Sequence, residues 1–274
     1  MNNTYADKKK ALKKLLASYA KENLILAFSG GVDSSLLLKM CVEASQKTGK
    51  KVYGVTAHTS LHPSADLDIA KRVCQEAGAE HIIVHVDELL EAGIERNPIN
   101  RCYLCKRCIF AKIKELSVSL GISLILEGTN EDDLHVYRPG IQALKELSII
   151  SPLAICGITK EEVRKLAAEY DISVADRPST PCMATRFPYG SLLDYGELKK
   201  VEMGEDWLRS RGYYNVRLRV HGDIARIEVD EKDLSKIVEE RNDIILKMKE
   251  LGYAYVTIDL EGFRSGSMDV NIKQ

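Results

Sequence analysis

The stretch Ser29-Gly30-Gly31-Val32-Asp33-Ser34-Ser35 constrains this chain more than any other. An apolar run over residues 24–28 leads into it and an apolar-periodic run over residues 34–44 leads out, which predicts strand, glycine loop and helix. Two adjacent glycines let the backbone turn tightly and approach an anion, and the serine hydroxyls can donate to it. The helix start adds N–H groups without intrahelical partners and a favourable dipole. The bland alternative is a Gly-Ser turn that only joins strand to helix. A Walker lysine is missing, because Ser34 and Ser35 are followed by Leu36. That disfavours a hydrolysing P-loop ATPase.

The flanking pattern fits an open α/β sheet. A leading helix is expected over residues 5–21, strands over 51–57, 81–86 and 123–126, and helices over 65–77 and from the cysteine cluster to about residue 120. Strands alternating with helices imply a doubly wound parallel sheet, with its ligand outside the carboxyl ends of the strands. The glycine loop, Thr56-Ala57-His58 and Glu127-Gly128-Thr129 all fall at such ends. Residues 148–151 read as a short fifth strand closed by Pro152. Thr159-Lys160-Glu161-Glu162 reads as a capping box ahead of a helix that buries Val163, Leu166 and Ala167. Residues 176–190, DRPSTPCMATRFPYG, hold three prolines and no periodicity, so the boundary falls here, between domains 1–178 and 179–274. The second is a smaller α+β domain: a helix over 193–211, strands over 215–221 and 224–229 around Gly222-Asp223, a helix over 232–251 and a strand over 253–260.

Charge enters the argument as an exclusion. The chain has 39 Lys+Arg against 40 Asp+Glu, so nothing global pulls it toward nucleic acid or membrane. No run approaches the roughly 18 apolar residues of a membrane span. The lysine-rich start lacks a signal-type apolar core, and a cytoplasmic protein without a membrane or nucleic-acid partner is expected. Seven cysteines, an odd number, disfavour a disulfide framework and raise metal or reactive-thiol roles.

Among the candidate groups, Asp33 suits a ligand for the Mg²⁺ that escorts a nucleotide, or else a helix N-cap. The acidic stretch 127–133 with Arg138 is either a solvated turn or a cation-bridged part of the site. Cys102, Cys105 and Cys108 recur every three residues, so Cys102 and Cys105 share a helix face and can grip one inorganic centre, with Cys108 continuing it. Lys106, Arg107 and the helix dipole would favour thiolates there. A zinc knuckle needing a fourth ligand and inert buried thiols are the rivals. Cys41, Cys74 and Cys156 read as packing residues. Cys182 has no apolar stripe to join, and a thiol pKa lowered by Arg186 would make it nucleophilic or ligating; a plain linker thiol is the alternative. Arg217, Arg219 and His221 alternate on one strand face opposite Arg226, a fan for a phosphorylated, carboxylated small molecule or a solvated face.

With these residues in view, SGGVDSS resembles the pyrophosphate loop of the ATP pyrophosphatase (PP-loop) superfamily, whose members split ATP between the α and β phosphates and adenylate a carbonyl or carboxyl oxygen. The match continues through EGTNEDD, YRPG, SPL, KEEVRKLA, RPSTPCMATRFPYG, VRLRVHGDIARIEV and YVTIDLEGFRSGSM. Over nearly the whole chain it resembles the LarE family, sulfur transferases that build the nickel-pincer cofactor of lactate racemase. The resemblance implies that ATP adenylates a carboxylate of pyridinium-3,5-biscarboxylic acid mononucleotide, pyrophosphate leaves, and a cysteine-borne sulfur replaces AMP to give a thiocarboxylate. ATP would then meet Ser29, Gly30, Gly31, Val32, Asp33, Ser34 and Ser35, with Thr56, Gly128, Thr129, Asp132 and Arg138 at the strand ends. By resemblance Cys182 is the sulfur-carrying cysteine, Arg217, Arg219 and Arg264 belong to the phosphate or substrate site, and Glu205 is a functional acid. The family has a sacrificial form with one site cysteine and a form holding a [4Fe–4S] cluster. Cys102, Cys105 and Cys182 match the cluster form, from which Cys108 departs as an extra thiol. A homo-oligomer is implied, and no sulfur donor is identified. The alternatives are a tRNA thiolase of the same superfamily and a non-catalytic nucleotide-binding module.

Overall fold

In the computed structural model, which describes residues 4–136, 138–177, 180–264 and 267–268, the first four apolar runs form β1 (Leu24–Ala27), β2 (Val52–His58), β3 (Glu80–His85) and β4 (Leu124–Leu126). The sheet order is β3-β2-β1-β4 and every pairing is parallel. Parallel neighbours require crossovers, so helices cover the sheet. These are α1 (Tyr5–Tyr19), α2 (Val32–Ser45), α3 (Ser64–Ala77), the single turn α4 (Glu88–Glu91) and α5 (Arg101–Ser119). The central strand β1 serves two cores at once: Leu24 and Leu26 pack with Leu36 and Leu38, and Ile25 packs with Val55, Phe110 and Ile125. A strand buried on both faces reads as a continuous apolar run. The doubly wound α/β fold expected from the alternation is the fold observed.

Two expectations are corrected. The fifth strand over 148–151 reduces to one bridge between Leu126 and Ile150. Ser148 sits at φ 56, which breaks an extended run, and Pro152 opens a helix instead of closing a strand. Around it lie α6 (Gly140–Glu146), α7 (Pro152–Ile155) and α8 (Lys160–Glu169), the last with its Thr159 capping box and with Val163, Leu166 and Ala167 buried. Similarly, the single helix expected over 232–251 is a 3₁₀ turn (Glu231–Asp233), α10 (Leu234–Glu239) and α11 (Arg241–Glu250). The break is at Glu240, whose carboxylate accepts from Arg211 Nε at 3.0 Å and Tyr213 Oη at 3.2 Å.

The chain divides into two compact units, residues 1–93 with 100–180, and residues 94–99 with 181–274. The boundary expected between residues 178 and 179 lies outside the described residues. The second unit carries α9 (Tyr195–Ser210), the antiparallel hairpin β5 (Val216–His221) and β6 (Ile224–Val229), and β7 (Tyr255–Ile258), which pairs parallel to β6. Among the described residues, no helix is long and apolar enough to cross a membrane.

Candidate active site

The glycine loop is shaped by its own serines. Helix α2 starts at Val32, so Val32 and Asp33 lie in its first turn; the N-cap is Gly31, not Asp33, and no side chain caps it. The N–H groups of that turn therefore remain available to an anion. Gly30 has φ 72, and a Cβ there would lie 3.2 Å from the backbone of Ala70, so both torsion and space require glycine. Ser34 Oγ donates to the Gly31 carbonyl at 3.1 Å and lies 3.2 Å from Ser29 Oγ. Ser35 Oγ is buried and has no hydrogen-bond partner among the described residues. Thr56 lies within β2, where its hydroxyl donates to the Phe28 carbonyl at 2.8 Å. It braces the residue before the loop. His81 Nε2, 2.8 Å away, must then donate to Thr56; burial lowers the His81 pKa, which keeps the ring neutral.

The stretch after β4 packs directly on this loop. A Cβ on Gly128 would stand 3.1 Å from the Ser34 amide nitrogen and 3.3 Å from Asp33 Cβ. Glu127 holds the turn by accepting from the Thr129 amide at 2.9 Å, from Thr129 Oγ1 at 2.8 Å and from Ser151. Asp33 has two partners: Asn130 Nδ2 donates to one oxygen at 3.0 Å and Lys160 Nζ to the other. Lys160 also donates its backbone N–H to Asp132 at 2.7 Å, and Arg138 pairs with Asp133 at 2.8 Å. The acidic stretch is thus a wired turn with its own cations, and Lys160 is the site residue that sequence reasoning missed. It was visible only as the residue after a helix cap.

On α5, Cys102 is exposed while Cys105 and Cys108 are half-buried. The Cys105 thiol donates to Glu88 Oε1 at 2.9 Å, and Glu88 Oε2 is buried without a hydrogen-bond partner among the described residues. Burial, with Glu91 adding to it, raises the Cys108 pKa, so Lys106 and Arg107 do not favour a thiolate at that position. Burial also pushes Cys41 up to about 12 and Cys74 up to about 11, as inert packing thiols require. Among the described residues, no three His, Cys, Asp or Glu side chains stand together as a metal-holding group.

In the second unit, half-buried Cys182 precedes the 3₁₀ turn Met183–Arg186. Its carbonyl accepts from the Thr185 amide at 3.0 Å, Thr185 Oγ1 at 2.8 Å and Arg186 Nη1 at 3.3 Å. Arg186 is fully buried and bidentate on Glu205, at 2.8 and 2.9 Å, with Nη1 also donating to the Pro181 carbonyl at 3.0 Å. Its charge is answered by Glu205, and its donors hold the carbonyls of residues 181 and 182. Glu205 also accepts from Arg209 at 2.6 Å and from the Leu218 amide at 3.0 Å. Burial pushes the Glu205 carboxyl up, but Arg186 and Arg209 outweigh it and hold the pKa below the usual value.

Within the fan Arg217 and Arg219 are buried while His221 and Arg226 are half-buried, which removes the reading of a solvated strand face for the first two. Arg219 donates to Glu228 at 2.8 Å, to Ser267 at 2.9 Å and to the Thr185 carbonyl at 2.8 Å. Arg217 lies 4.9 Å from the Phe263 ring centre and donates to the Val216 carbonyl at 2.8 Å. No carboxylate pairs with it among the described residues, and burial, with Arg186 nearby, pulls its pKa down to about 10. Arg226 pairs with Glu228 at 3.2 Å and Arg264 with Glu261 at 2.5 Å. Burial and the neighbouring arginines lower the His221 pKa. A desolvated guanidinium lacking a counter-anion is suited to a phosphate or carboxylate.

Comparison with known proteins agrees with this construction. A family model described as a PP-loop domain matches residues 4–135. An uncharacterised protein of Synechocystis is 35% identical over 250 residues, covering 90% of this chain and 92% of its own. The pyridinium-3,5-bisthiocarboxylic acid mononucleotide synthase of Lactiplantibacillus plantarum is 32% identical over 248 residues, covering 90% of this chain and 89% of its own. The chain belongs to the LarE family. It is therefore an enzyme, an ATP-dependent sulfur transferase built on a PP-loop α/β sheet with a smaller second domain. Likeness to a tRNA-specific 2-thiouridylase of Fusobacterium nucleatum, 29% identical, is confined to 54% of this chain and 45% of that protein. LarE relatives, by contrast, match both units.

Proposed function

We propose that the chain adenylates one carboxylate of pyridinium-3,5-biscarboxylic acid mononucleotide and replaces the AMP with sulfur. The observation that carries this reading is Arg217, a buried cation with no carboxylate on it among the described residues, in the same unit as the Cys182 loop. An anionic, phosphorylated substrate would complete it. In the first step a substrate carboxylate oxygen attacks the α-phosphorus of ATP and pyrophosphate leaves. The free N–H groups at the start of α2 cradle the phosphates, and Lys160 offsets the charge on the leaving pyrophosphate. Asp33 would hold Mg²⁺ together with ATP oxygens, since that ion takes one or two carboxylates plus phosphates. In the second step sulfur attacks the acyl carbon and AMP departs with the oxygen. Arg217, Arg219 and Arg264 hold the substrate, with Glu205 fixing the loop that presents Cys182.

Cys102, Cys105 and Cys182 would hold a [4Fe–4S] cluster, which supplies an iron left open to carry the sulfide. The donor set supports this: thiols one helical turn apart on α5, one exposed and one half-buried, are soft ligands on one face. We further propose that the enzyme is a homo-oligomer, which light scattering tests. The deciding experiment is anaerobic reconstitution, iron and sulfide analysis, then incubation with ATP, Mg²⁺ and the biscarboxylated substrate. Pyrophosphate, AMP and a thiocarboxylate product are expected. ADP with orthophosphate would sink the adenylation step. Turnover that stops after one sulfur, with Cys182 lighter by one H₂S, would instead assign the sacrificial form. Strongly salt-dependent binding of tRNA would favour a thiolase.

A further inference from the structure

Asn97 is fully buried, with a left-handed backbone at φ 44, and its carboxamide donates to the Cys182 loop and its continuation. Its Nδ2 lies 3.4 Å from the Ala184 carbonyl, 3.0 Å from that of Phe187 and 2.9 Å from that of Pro188. Its own carbonyl accepts from the Gly190 amide at 3.1 Å, and two residues earlier the Glu95 carbonyl accepts from Leu193 at 2.6 Å. Arg186 takes the carbonyls of residues 181 and 182, and Arg219 takes that of residue 185. Three buried side chains therefore catch six carbonyls of one short loop. Two of them belong to the loop and the neighbouring sheet. Asn97 arrives from 87 residues upstream of Ala184, on the six-residue strap (94–99) that leaves the first unit for this purpose. A buried amide gains little from apolar contact, and its donors matter only by where they hold their acceptors.

We propose that Asn97 is the positioning residue of Cys182: its carboxamide sets the path of residues 184–190 and so fixes how the thiol is presented. This deepens the sulfur-transfer reading, which needs that thiol held in one place.

The test uses the full chain with Asn97→Gly, which keeps the left-handed backbone and deletes the carboxamide, and Asn97→Asp, which keeps the shape and turns an oxygen toward three carbonyls. N-ethylmaleimide alkylation is followed residue by residue by peptide mass spectrometry, with Cys108 in the first unit as control. Amide hydrogen exchange is read over 183–190 and over β5, β6 and β7. Cys182 alkylation is expected to rise at least tenfold in both variants, with exchange increasing only in the loop. Cys108 alkylation should not change. The turnover number for sulfur transfer should fall while KM for ATP stays as in the wild type. An unchanged Cys182 rate in both variants overturns the proposal, as does exchange rising through the whole sheet, which would make Asn97 a stability residue. A changed Cys182 rate with unchanged turnover leaves the positioning role standing and removes Cys182 from sulfur transfer.

Discussion

Glu205 binds two guanidinium groups and a backbone amide from a position 1% exposed, so its charge is indispensable there. Glu205→Gln leaves Arg186 buried and unanswered, and should cost about 3–5 kcal/mol. Trp207, the single tryptophan, sits on the same helix and reports the transition in urea. The pH dependence has a definite sign. Because the folded pKa is depressed, this stability is present above the unfolded carboxylate value of about 4.3 and is lost as pH falls through the folded one. Acid unfolding read at Trp207 should therefore lose part of its pH dependence in the Gln variant. At the nucleotide loop, Lys160→Met should slow pyrophosphate release by on the order of 10²-fold, as removal of a preorganised charge does; an unchanged rate would return Lys160 to holding the turn. Asp33 was legible because it stands inside a motif. Lys160 was not, because its partner is 127 residues away and chain neighbours carry no trace of it. Glu205 entered only through family resemblance, since nothing local marks a helix-face acid as buried.

Elements were more legible than contacts. Each parallel strand and crossover helix of the first unit follows from apolar runs and periodicity, which are local properties. The two misread segments fail for a physical reason of their own. The Ile149-Ile150 pair looks like a strand, but Ser148 turns the chain before a ladder can form. Residues 232–251 keep a helical rhythm, while the ion pair that accompanies the break at Glu240 comes from Arg211. Packing between elements also yields a prediction. Gly128→Ala places a methyl 3.1 Å from the Ser34 amide nitrogen, so the turn after β4 must back away from the glycine loop. KM for ATP should rise about tenfold, the equivalent of about 1.4 kcal/mol, with the melting temperature little changed; steady-state kinetics and calorimetry check it. A wild-type KM would mean that this turn does not touch the nucleotide.

At the scale of the whole molecule, the seven thiols sort into those that pack and those that are presented. Replacing Cys102, Cys105 or Cys182 by serine should abolish iron and sulfide uptake, whereas Cys108→Ser should leave it intact. Metal analysis and visible absorption after anaerobic reconstitution decide between them. Loss of the cluster on replacing Cys108 but not Cys182 would reassign the third ligand. The strap carries a consequence of another kind, for inheritance. Because residues 94–99 fold with residues 181–274, the second unit is encoded in two pieces, one of them inside the gene segment for the first. A recombination crossover at residue 180 would therefore join a loop from one parent to a strap from another, and Asn97 would face carbonyls it was not selected with. Viable chimaeras between relatives should be those that carry codons 94–99 along with the downstream half, so that the ancestry of six residues follows a sequence that begins 87 positions later.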